Sequence, residues 1–214
     1  IFEVAKLCQI DGDIGVAIGE PGIGKTVSVE AFAAQNSGVI LLEADPGMPV
    51  KACFAKMQRQ FGGDGYGTAY TLFEDVLVRL NNSGRLIVID EAEHLPHGAL
   101  ELLRRLHDKA GVGILLVGSP VLLGKLRGCR GQYTQLYSRV GVLASLKPIN
   151  AADAEAIAEA ALPGVGHART LHEKTLGNAR KLNKLAKRSS RISELNALPI
   201  DATVIEAAMT TLLV

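Results

Sequence analysis

Apolar residues in the first two thirds of the chain form short continuous runs separated by longer amphipathic stretches. The runs are rich in Val, Ile and Leu and predict strands at 14–18, 38–43, 85–90, 112–117 and 141–146. Runs without polar alternation are typical of strands buried on both faces, as in a parallel sheet covered by helices. Helical periodicity between them predicts helices at 25–35, 49–61, 69–81 and 98–109. This alternation predicts an α/β fold.

The pattern changes after Lys147 and Pro148, where the strand signals stop. The remaining stretches predict helices at 151–161, 168–176, 178–189 and 201–213. We therefore predict two domains, a strand-containing domain over 1–148 and a small helical domain over 149–214.

Composition fits a globular protein with one good core, since 48% of the 214 residues are hydrophobic and 21% are charged. No apolar run approaches the length of a membrane span and no signal peptide opens the chain, so we expect a cytoplasmic protein without a membrane partner. The first residue is Ile1, which leads us to expect a fragment of a longer protein. Cys8, Cys53 and Cys129 are widely spaced, which favours reduced thiols over a metal site.

The net charge of +1 conceals an asymmetry between the two halves of the chain. Residues 1–108 carry a net charge of −6, whereas 109–214 carry +7. Seven basic residues and no acidic residue lie between Lys174 and Arg191. A solvated helix face would explain this run, and so would contact with a triphosphate, a neighbouring subunit's phosphate or nucleic acid.

Residues 19–26 read GEPGIGKT, a complete G-x-x-x-x-G-K-[ST] loop. Its glycines allow a tight turn whose N–H groups face phosphate oxygens, its lysine reaches the β- and γ-phosphates, and its threonine offers a hydroxyl to Mg²⁺. A chance glycine-rich turn is the alternative, but a predicted strand and helix flank the loop as nucleotide binding requires. The predicted nucleotide-binding residues are Gly19, Pro21, Gly22, Ile23, Gly24, Lys25, Thr26 and Val27, with Thr26 also a metal ligand.

Residues 86–91 form an apolar strand that ends in two carboxylates, Asp90 and Glu91. At the tip of such a strand Asp90 would complete the Mg²⁺ shell, usually through water. Glu91 would orient or deprotonate the water that attacks the γ-phosphate. Two acids that cap the next helix are the alternative.

Three further polar residues are candidates for the same chemistry. Ser119 ends the strand predicted next to the one carrying Asp90, so its hydroxyl lies near the γ-phosphate or caps the helix that Pro120 begins. Arg139 precedes the last strand, where it forms a surface ion pair or reaches the γ-phosphate of a neighbouring subunit. Arg180 lies in a first helical turn, against the helix dipole, which points to an anionic partner such as the triphosphate.

These features in this order resemble the AAA+ ATPases, P-loop NTPases with a parallel five-stranded sheet flanked by helices and a small C-terminal helical lid. Within that superfamily, the stretches 106–118 and 135–141 are similar to the phage Mu type of ATP-dependent target-DNA activators and, more distantly, to the Tn7 regulator ATPases. The resemblance implies roles for Ser119 as sensor 1, Arg139 as arginine finger and Arg180 as sensor 2. Ser119 departs from the asparagine that is common at the first of these positions.

The resemblance also implies an activity and partners. Such a protein binds ATP and Mg²⁺ between its subunits, forms a helical filament around duplex DNA, and recruits and stimulates a transposase. Hydrolysis, slow and stimulated by DNA or a partner, then releases it from DNA. The N-terminal helix-turn-helix region of that family is absent from this sequence.

Two basic sets are candidates for DNA phosphate contacts, although a solvated face explains them almost as well. The first follows the second strand and the second precedes Arg139; the members are Lys51, Lys56, Arg59, Lys125, Arg127 and Arg130. Two other functions stay open: a remodelling ATPase like a helicase loader or a secretion ATPase of the ExeA type, and a nucleotide-gated interaction module with little hydrolysis.

Overall fold

The computed structural model describes residues 1–128 and 134–212, which form two compact units. The first unit comprises Ile1–Gly19 and Lys25–Leu146, and the second comprises Glu20–Gly24 and Lys147–Val214. The boundary between the two units therefore lies two residues before the predicted one. In addition, the five residues Glu20–Gly24 belong to the same unit as the C-terminal helices. Cys129 and Arg130 lie outside the described residues.

The first unit contains a five-stranded sheet in which every pairing is parallel. The strands are β1 (Ile14–Ile18), β2 (Val39–Glu43), β3 (Leu86–Asp90), β4 (Gly113–Gly118) and β5 (Val140–Ser145). Their order in the sheet is β2-β3-β4-β1-β5. The predicted five-stranded parallel sheet is confirmed, and β1, β3 and β4 end at the same edge of it.

The prediction that the strands are buried on both faces is confirmed for the three central strands and is wrong for the two outer ones. Every residue of β1, β3 and β4 is buried, whereas β5 alternates between half-buried and exposed positions. Leu143 of β5 is 48% exposed. An edge strand has a neighbouring strand on one side only, so less of its surface is covered.

The helices of the first unit include three elements that the periodicity did not predict. Its helices are α1 (Phe2–Asp11), α2 (Lys25–Gln35), α3 (Val50–Gln60), α4 (Ala69–Leu80), α5 (His97–Ala110), α6 (Pro120–Arg127) and α7 (Thr134–Tyr137). A 3₁₀ turn, Ala92–His94, follows β3. The first helix escaped prediction because it buries only Ala5 and Cys8 and has no side-chain cap, which leaves neither an apolar stripe nor a start signal.

The core of this unit lies in two layers, one on each face of the sheet. Side chains that alternate along a strand point to opposite faces, so each strand supplies both layers. One layer contains Ile87 and Ile114 with Phe54 and Phe73. The rings of the two phenylalanines meet edge to face, with their centroids 5.6 Å apart. The smaller layer contains Val88 and Leu115 with residues of α1 and α2, among them Cys8, Val29 and Phe32.

The second unit is helical throughout its described residues. Its helices are α8 (Ala151–Ala161), α9 (Ala168–Thr175), α10 (Ala179–Asn196) and α11 (Ala202–Thr210). Asn150, Asn178 and Asp201 each accept a backbone N–H at the start of a helix. A separate core of Leu171, Leu182, Leu185 and Ile205 holds the four helices together.

Two of the three predicted thiols can be placed, and both are buried. Burial raises the pKa of Cys8 to about 11 and that of Cys53 to about 12, so both stay protonated near neutral pH. Over residues 1–128 and 134–212, no helix combines the length and the apolar character needed to span a bilayer.

Replacing glycine by alanine is expected to have opposite effects on stability at two positions, one where α1 approaches β4 closely and one in open space. A Cβ on Gly113 would lie 2.1 Å from the backbone oxygen of Cys8, whereas a Cβ on Gly124 of α6 would enter open space. We expect Gly113→Ala to lower the free energy of unfolding by about 2 kcal/mol or more. Gly124→Ala should raise it by about 0.5–1 kcal/mol through helix propensity. Urea unfolding measures both, and an unchanged midpoint for Gly113→Ala would show that α1 does not approach β4 as described.

Candidate nucleotide-binding site

The glycine-rich loop connects the end of β1 to the first residue of α2. Gly22 and Gly24 have φ angles of 86° and 97°, in the region that L side chains rarely adopt. A Cβ on Gly24 would meet no atom within 4 Å. The loop therefore has the backbone conformation that its glycines predict, with open space beside Gly24.

Lys25 is the first residue of α2 and is only 8% exposed. Its Nζ donates a hydrogen bond to the backbone oxygen of Gly19 at 2.7 Å. The N–H of Gly19 in turn donates to the oxygen of Gly118 at 3.1 Å, which ties the loop to the end of β4. The ammonium is thus held against the loop that precedes it.

Thr26 and Asp90 meet across the gap between α2 and β3. The Thr26 hydroxyl donates to Asp90 Oδ2 at 2.6 Å, and Asp90 is 2% exposed. The other carboxylate oxygen, Oδ1, accepts the N–H of Glu91 at 2.9 Å. The structure therefore brings together the two residues that were predicted, 64 positions apart, as ligands of one metal ion.

Glu91 lies directly after β3 in a left-handed backbone conformation, with φ 52° and ψ 35°. That region costs a residue with a side chain on the order of 1 kcal/mol or more, and such strain is concentrated at functional sites. The Glu91 side chain is 39% exposed, and its Oε2 lies 3.8 Å from His94 Nε2. The strained backbone holds a solvent-accessible carboxylate immediately beside Asp90.

Ser119 directly follows β4, the strand that pairs with β3. It occupies the N-cap position of α6, with Pro120 as the first helical residue, but its side chain makes no capping hydrogen bond. Its backbone N–H donates to Glu93 Oε1 at 3.0 Å. Ser119 is therefore fixed by a carboxylate that follows β3.

Glu93 is a residue that the sequence reasoning missed. Its Oε2 is buried without a hydrogen-bond partner among the described residues, and a Cβ on Gly118 would lie 2.1 Å from that oxygen. Burial acts to raise the pKa of Glu93, but hydrogen bonds from Ser119 and from its own backbone, with nearby His94, outweigh it and lower the pKa. The sequence signal that could have indicated it is a third acid two residues after Glu91.

Lys125 completes this cluster and has a different position from the one predicted. Its Nζ donates to the backbone oxygens of Glu93 and Leu95, and burial lowers its pKa despite the opposing effect of Glu93. These bonds anchor α6 to the turn after β3. Lys125 is half-buried and engaged by these two bonds, and its predicted DNA contact stays a prediction.

The other residues predicted to contact DNA differ in whether their side chains contact other parts of the protein. Lys51 and Arg59 are exposed on α3. Lys56 pairs with Asp45 at 2.6 Å, and the Arg127 guanidinium lies 5.9 Å from the centre of the Tyr137 ring. Arg130 lies outside the described residues, so its predicted role stays a prediction.

Arg139 is held by an ion pair within the first unit. Its Nε donates to Asp108 Oδ1 at 2.6 Å, and Nη1 donates to the Gln135 oxygen at 2.8 Å. Asp108 also accepts from Arg104 Nη1. The predicted role of Arg139 as an arginine finger stays a prediction.

The tip of the glycine-rich loop belongs to the second unit and is held there by the start of α10. Asn178 Nδ2 donates to the Pro21 oxygen and the Arg180 N–H donates to the Gly22 oxygen, both at 2.9 Å. A Cβ on Gly22 would lie 2.5 Å from Asn178 Oδ1. The role of Asn178 was missed, although asparagine directly before a helix signals an N-cap.

The arrangement fits Mg²⁺ and a nucleoside triphosphate. Among the described residues, no three His, Cys, Asp or Glu side chains cluster in a way that could hold a metal ion. Mg²⁺ typically takes one or two protein oxygens and completes its shell with phosphates and water. Thr26 and Asp90 would supply those oxygens, and the buried Lys25 ammonium would supply charge for the phosphates.

The sheet order, the loop and the strand-end acids define a P-loop ATPase-type domain. The family described as "AAA domain" matches residues 10–126, more than half of the chain, and the chain belongs to this family. The predicted membership in the AAA+ class is thereby confirmed.

The relatives of known name include transposition proteins of phage Mu and of a Mu-like prophage. The chain is 30% identical over 165 residues to the Mu-like prophage FluMu DNA transposition protein B of Haemophilus influenzae, and the match covers 75% of this chain and 58% of that protein. It is 27% identical over 164 residues to the ATP-dependent target DNA activator B of Escherichia phage Mu, covering 75% and 53%. The match thus spans little more than half of these relatives, and the predicted resemblance to them is confirmed.

Solved structures confirm the fold. The Aeropyrum pernix ORC2 protein superposes with a TM-score of 0.70 at 20% identity, covering 98% of this chain and 67% of that one. Thermotoga maritima RuvB, the Holliday junction branch migration motor, superposes with a TM-score of 0.61 at 18% identity, covering 98% and 66%. At these identities the likeness concerns the fold alone.

The Glu93–Ser119 contact predicts a stability difference that depends on pH. The lowered pKa of Glu93 means that the contribution of its charge is fully present above the ordinary carboxyl pKa of 4.5 and is lost as the pH falls through the lower folded-state value. We expect Glu93→Ala to lower the free energy of unfolding by about 1–2 kcal/mol at neutral pH, because the Ser119 N–H loses its acceptor. Glu93→Gln keeps an acceptor oxygen for this N–H and should lower the free energy of unfolding by a smaller amount.

Urea unfolding of the three proteins at a series of pH values measures this difference. The difference in free energy of unfolding between wild type and Glu93→Gln should decrease as the pH falls below 4.5, the ordinary carboxyl pKa. A gap that stays constant down to acid unfolding would show that the Glu93 charge does not contribute to stability.

Proposed function

We propose that the chain binds ATP with Mg²⁺ and hydrolyses it to ADP and phosphate. The observation that carries the proposal is the 2.6 Å hydrogen bond between Thr26 and Asp90, with Lys25 and Glu91 as their chain neighbours. The hydroxyl, the two carboxylates and the ammonium that phosphoryl transfer to water requires are thus gathered at one end of β1 and β3. Membership in the AAA domain family supports the same reaction.

Each residue has a distinct role in this proposal. The N–H groups of the loop from Gly19 to Val27 and the Lys25 ammonium bind the phosphates, while Thr26 and Asp90 hold Mg²⁺. The bound ion would neutralise charge that develops on the phosphate oxygens. Glu91 accepts a proton from the attacking water, and Ser119 contributes a hydroxyl at the adjacent strand end. Arg180 stays a predicted phosphate contact from the second unit.

We further propose that this ATPase regulates DNA transposition. In this proposal the ATP-bound protein assembles into a helical filament on duplex DNA without regard to sequence, marks the target and recruits a transposase in the bacterial or phage-infected cytoplasm. Turnover is slow and is stimulated by DNA or a partner. The names of the Haemophilus and phage Mu relatives support this direction.

A nucleotide-gated interaction module is the second candidate function. It is favoured by one observation, the engagement of Arg139 by Asp108, which leaves the isolated chain without a free arginine finger. A chain that binds ATP but turns it over only when a neighbour or a partner frees Arg139 would behave as such a module. The following two experiments separate the alternatives.

Replacing Glu91 tests hydrolysis separately from binding. We expect Glu91→Gln to lower the ATP turnover number by about a hundredfold or more, because it removes the base that accepts the proton of water. Nucleotide affinity, measured with a fluorescent ATP analogue, should stay within about threefold because Glu91 is not a phosphate ligand. Lys25→Ala is the matched control and should lose both. Equal turnover in wild type and Glu91→Gln would favour the interaction module.

Mixing two inactive variants tests whether Arg139 acts on a neighbouring subunit. Arg139→Ala keeps its own loop and Glu91, whereas Glu91→Gln keeps its own Arg139 and its nucleotide affinity, so both variants can join an ATP-dependent assembly. Each variant alone is expected to lose about a hundredfold or more in turnover. In a mixed assembly some Arg139→Ala subunits would receive the arginine of a Glu91→Gln neighbour, and activity should partly return. If the mixture stays as inactive as its components, Arg139 does not serve a neighbour's site.

A further inference from the structure

The start of α10 holds the glycine-rich loop by two of the loop's carbonyl oxygens. Asn178 Nδ2 donates to the Pro21 oxygen at 2.9 Å. The backbone N–H of Arg180 donates to the Gly22 oxygen, also at 2.9 Å. All four residues belong to the second unit, so both bonds lie within one compact unit. Two successive peptide groups of the loop are thus held by the first turn of one helix.

These two bonds fix the direction of two N–H groups. In a planar trans peptide the C=O and the N–H point in opposite directions. Because the Pro21 and Gly22 oxygens both point at α10, the N–H groups that follow them, on Gly22 and Ile23, both point away from it. Successive N–H groups on one side of the chain form an anion-binding concavity, which typically includes a left-handed residue. Gly22, with φ 86°, is that residue.

The same two N–H groups are not used inside the protein. Within residues 1–128 and 134–212, neither the Gly22 N–H nor the Ile23 N–H donates a hydrogen bond. Both residues are half-buried. A backbone N–H that is shielded from water is stabilised by an acceptor, so this part of the loop suits an anionic ligand.

The side-chain amide of Asn178 can donate to Pro21 because its oxygen has another partner. Asn178 Oδ1 accepts the Lys181 N–H at 3.0 Å and thereby caps α10. An amide has one oxygen that accepts and one nitrogen that donates, so the cap turns the nitrogen toward Pro21. Serine or aspartate would also cap the helix, but neither would keep a donor for the loop.

The position of Asn178 is itself fixed by the segment before it. The Asn178 N–H donates to the Thr175 oxygen at 3.0 Å, and the Gly177 oxygen accepts the Ile149 N–H at 2.9 Å. On the other side, a Cβ on Gly22 would lie 2.5 Å from Asn178 Oδ1. The contact between Asn178 and the loop is therefore close and supported from behind.

We infer that Asn178 is a positioning residue of the nucleotide site, which directs the N–H groups of Gly22 and Ile23 toward the phosphates. The inference rests on the proposed function, since it takes the phosphates of ATP as the ligand. The N–H groups of such a loop contact the α- and β-phosphates, which ATP and ADP share. Asn178 therefore contributes equally to the binding of both nucleotides, unlike a residue that contacts the γ-phosphate.

Replacing Asn178 by serine in the full chain tests this inference. Asn178→Ser keeps the cap, because its hydroxyl can accept the Lys181 N–H, but it has no second polar group for Pro21. We expect the affinities for ATP and ADP, measured by competition with a fluorescent ATP analogue, to fall by the same factor of about ten. The KM for ATP should rise similarly, while the turnover number at saturating ATP stays within about twofold, because the loop binds the ground state and the transition state alike.

Asn150→Ser is the matched control. Asn150 Oδ1 caps α8 by accepting the Asp153 N–H at 2.8 Å, so the same change is made at a helix start that does not hold the loop. Asn150→Ser should change the unfolding temperature about as much as Asn178→Ser does, and it should leave both nucleotide affinities unchanged.

Asn178→Asp is a second test that does not depend on how well serine caps the helix. Aspartate keeps a strong cap but places an oxygen beside the Pro21 oxygen. It should weaken the binding of ATP and ADP at least as much as serine does. The loss should persist in about 1 M NaCl, where repulsion between the new charge and the phosphates is largely screened.

The outcomes separate the inference from the proposal on which it rests. Wild type that binds both nucleotides, beside Asn178 variants with unchanged affinities, would overturn the positioning role alone. A loss confined to ATP would also overturn it, because the contribution of Asn178 would then lie at the γ-phosphate. Wild type that binds neither ATP nor ADP would overturn the proposed function, and the inference with it.

Discussion

The parallel arrangement of the sheet is the constraint on which the candidate site depends. Because β1, β3 and β4 run in the same direction, their carboxyl ends meet at one edge, and residues distant in sequence become neighbours there. Thr26 follows β1 and Asp90 ends β3, and one hydrogen bond joins them. Burial of all three strands on both faces fixes this edge rigidly, since a shift of one strand would disturb two packed layers.

The parts of the structure with strong local signals could be predicted from the sequence. The strands were found to within one residue at each end because their apolar runs are continuous, and the loop from Gly19 to Thr26 was found because few other sequences allow its backbone. The pairing of Thr26 with Asp90 followed from the parallel strands. These features depend on short stretches of sequence whose physical requirements are narrow.

What the sequence did not indicate depends on contacts between distant residues. Glu93 looks like one more acid after Asp90 and Glu91, and only the fold shows that it fixes Ser119. Lys125 appeared to be a surface cation, but its ammonium reaches two backbone oxygens of the turn after β3. The basic run at the C-terminus was recognised, yet its concentration on one face of α10 required the helix boundaries and the exposure of each side chain.

The left-handed backbone at Glu91 lowers the stability of the fold at the position of the proposed catalytic base. Glycine or asparagine would occupy φ 52° at lower cost than glutamate, so the most stable sequence at this site is not the one that carries the acid. A search for thermostable versions of this chain would therefore enrich substitutions that remove the carboxylate. A glutamate in this backbone conformation weakens the fold at the position where the proposed mechanism needs a carboxylate, and such a conflict between stability and chemistry is expected of a catalytic base.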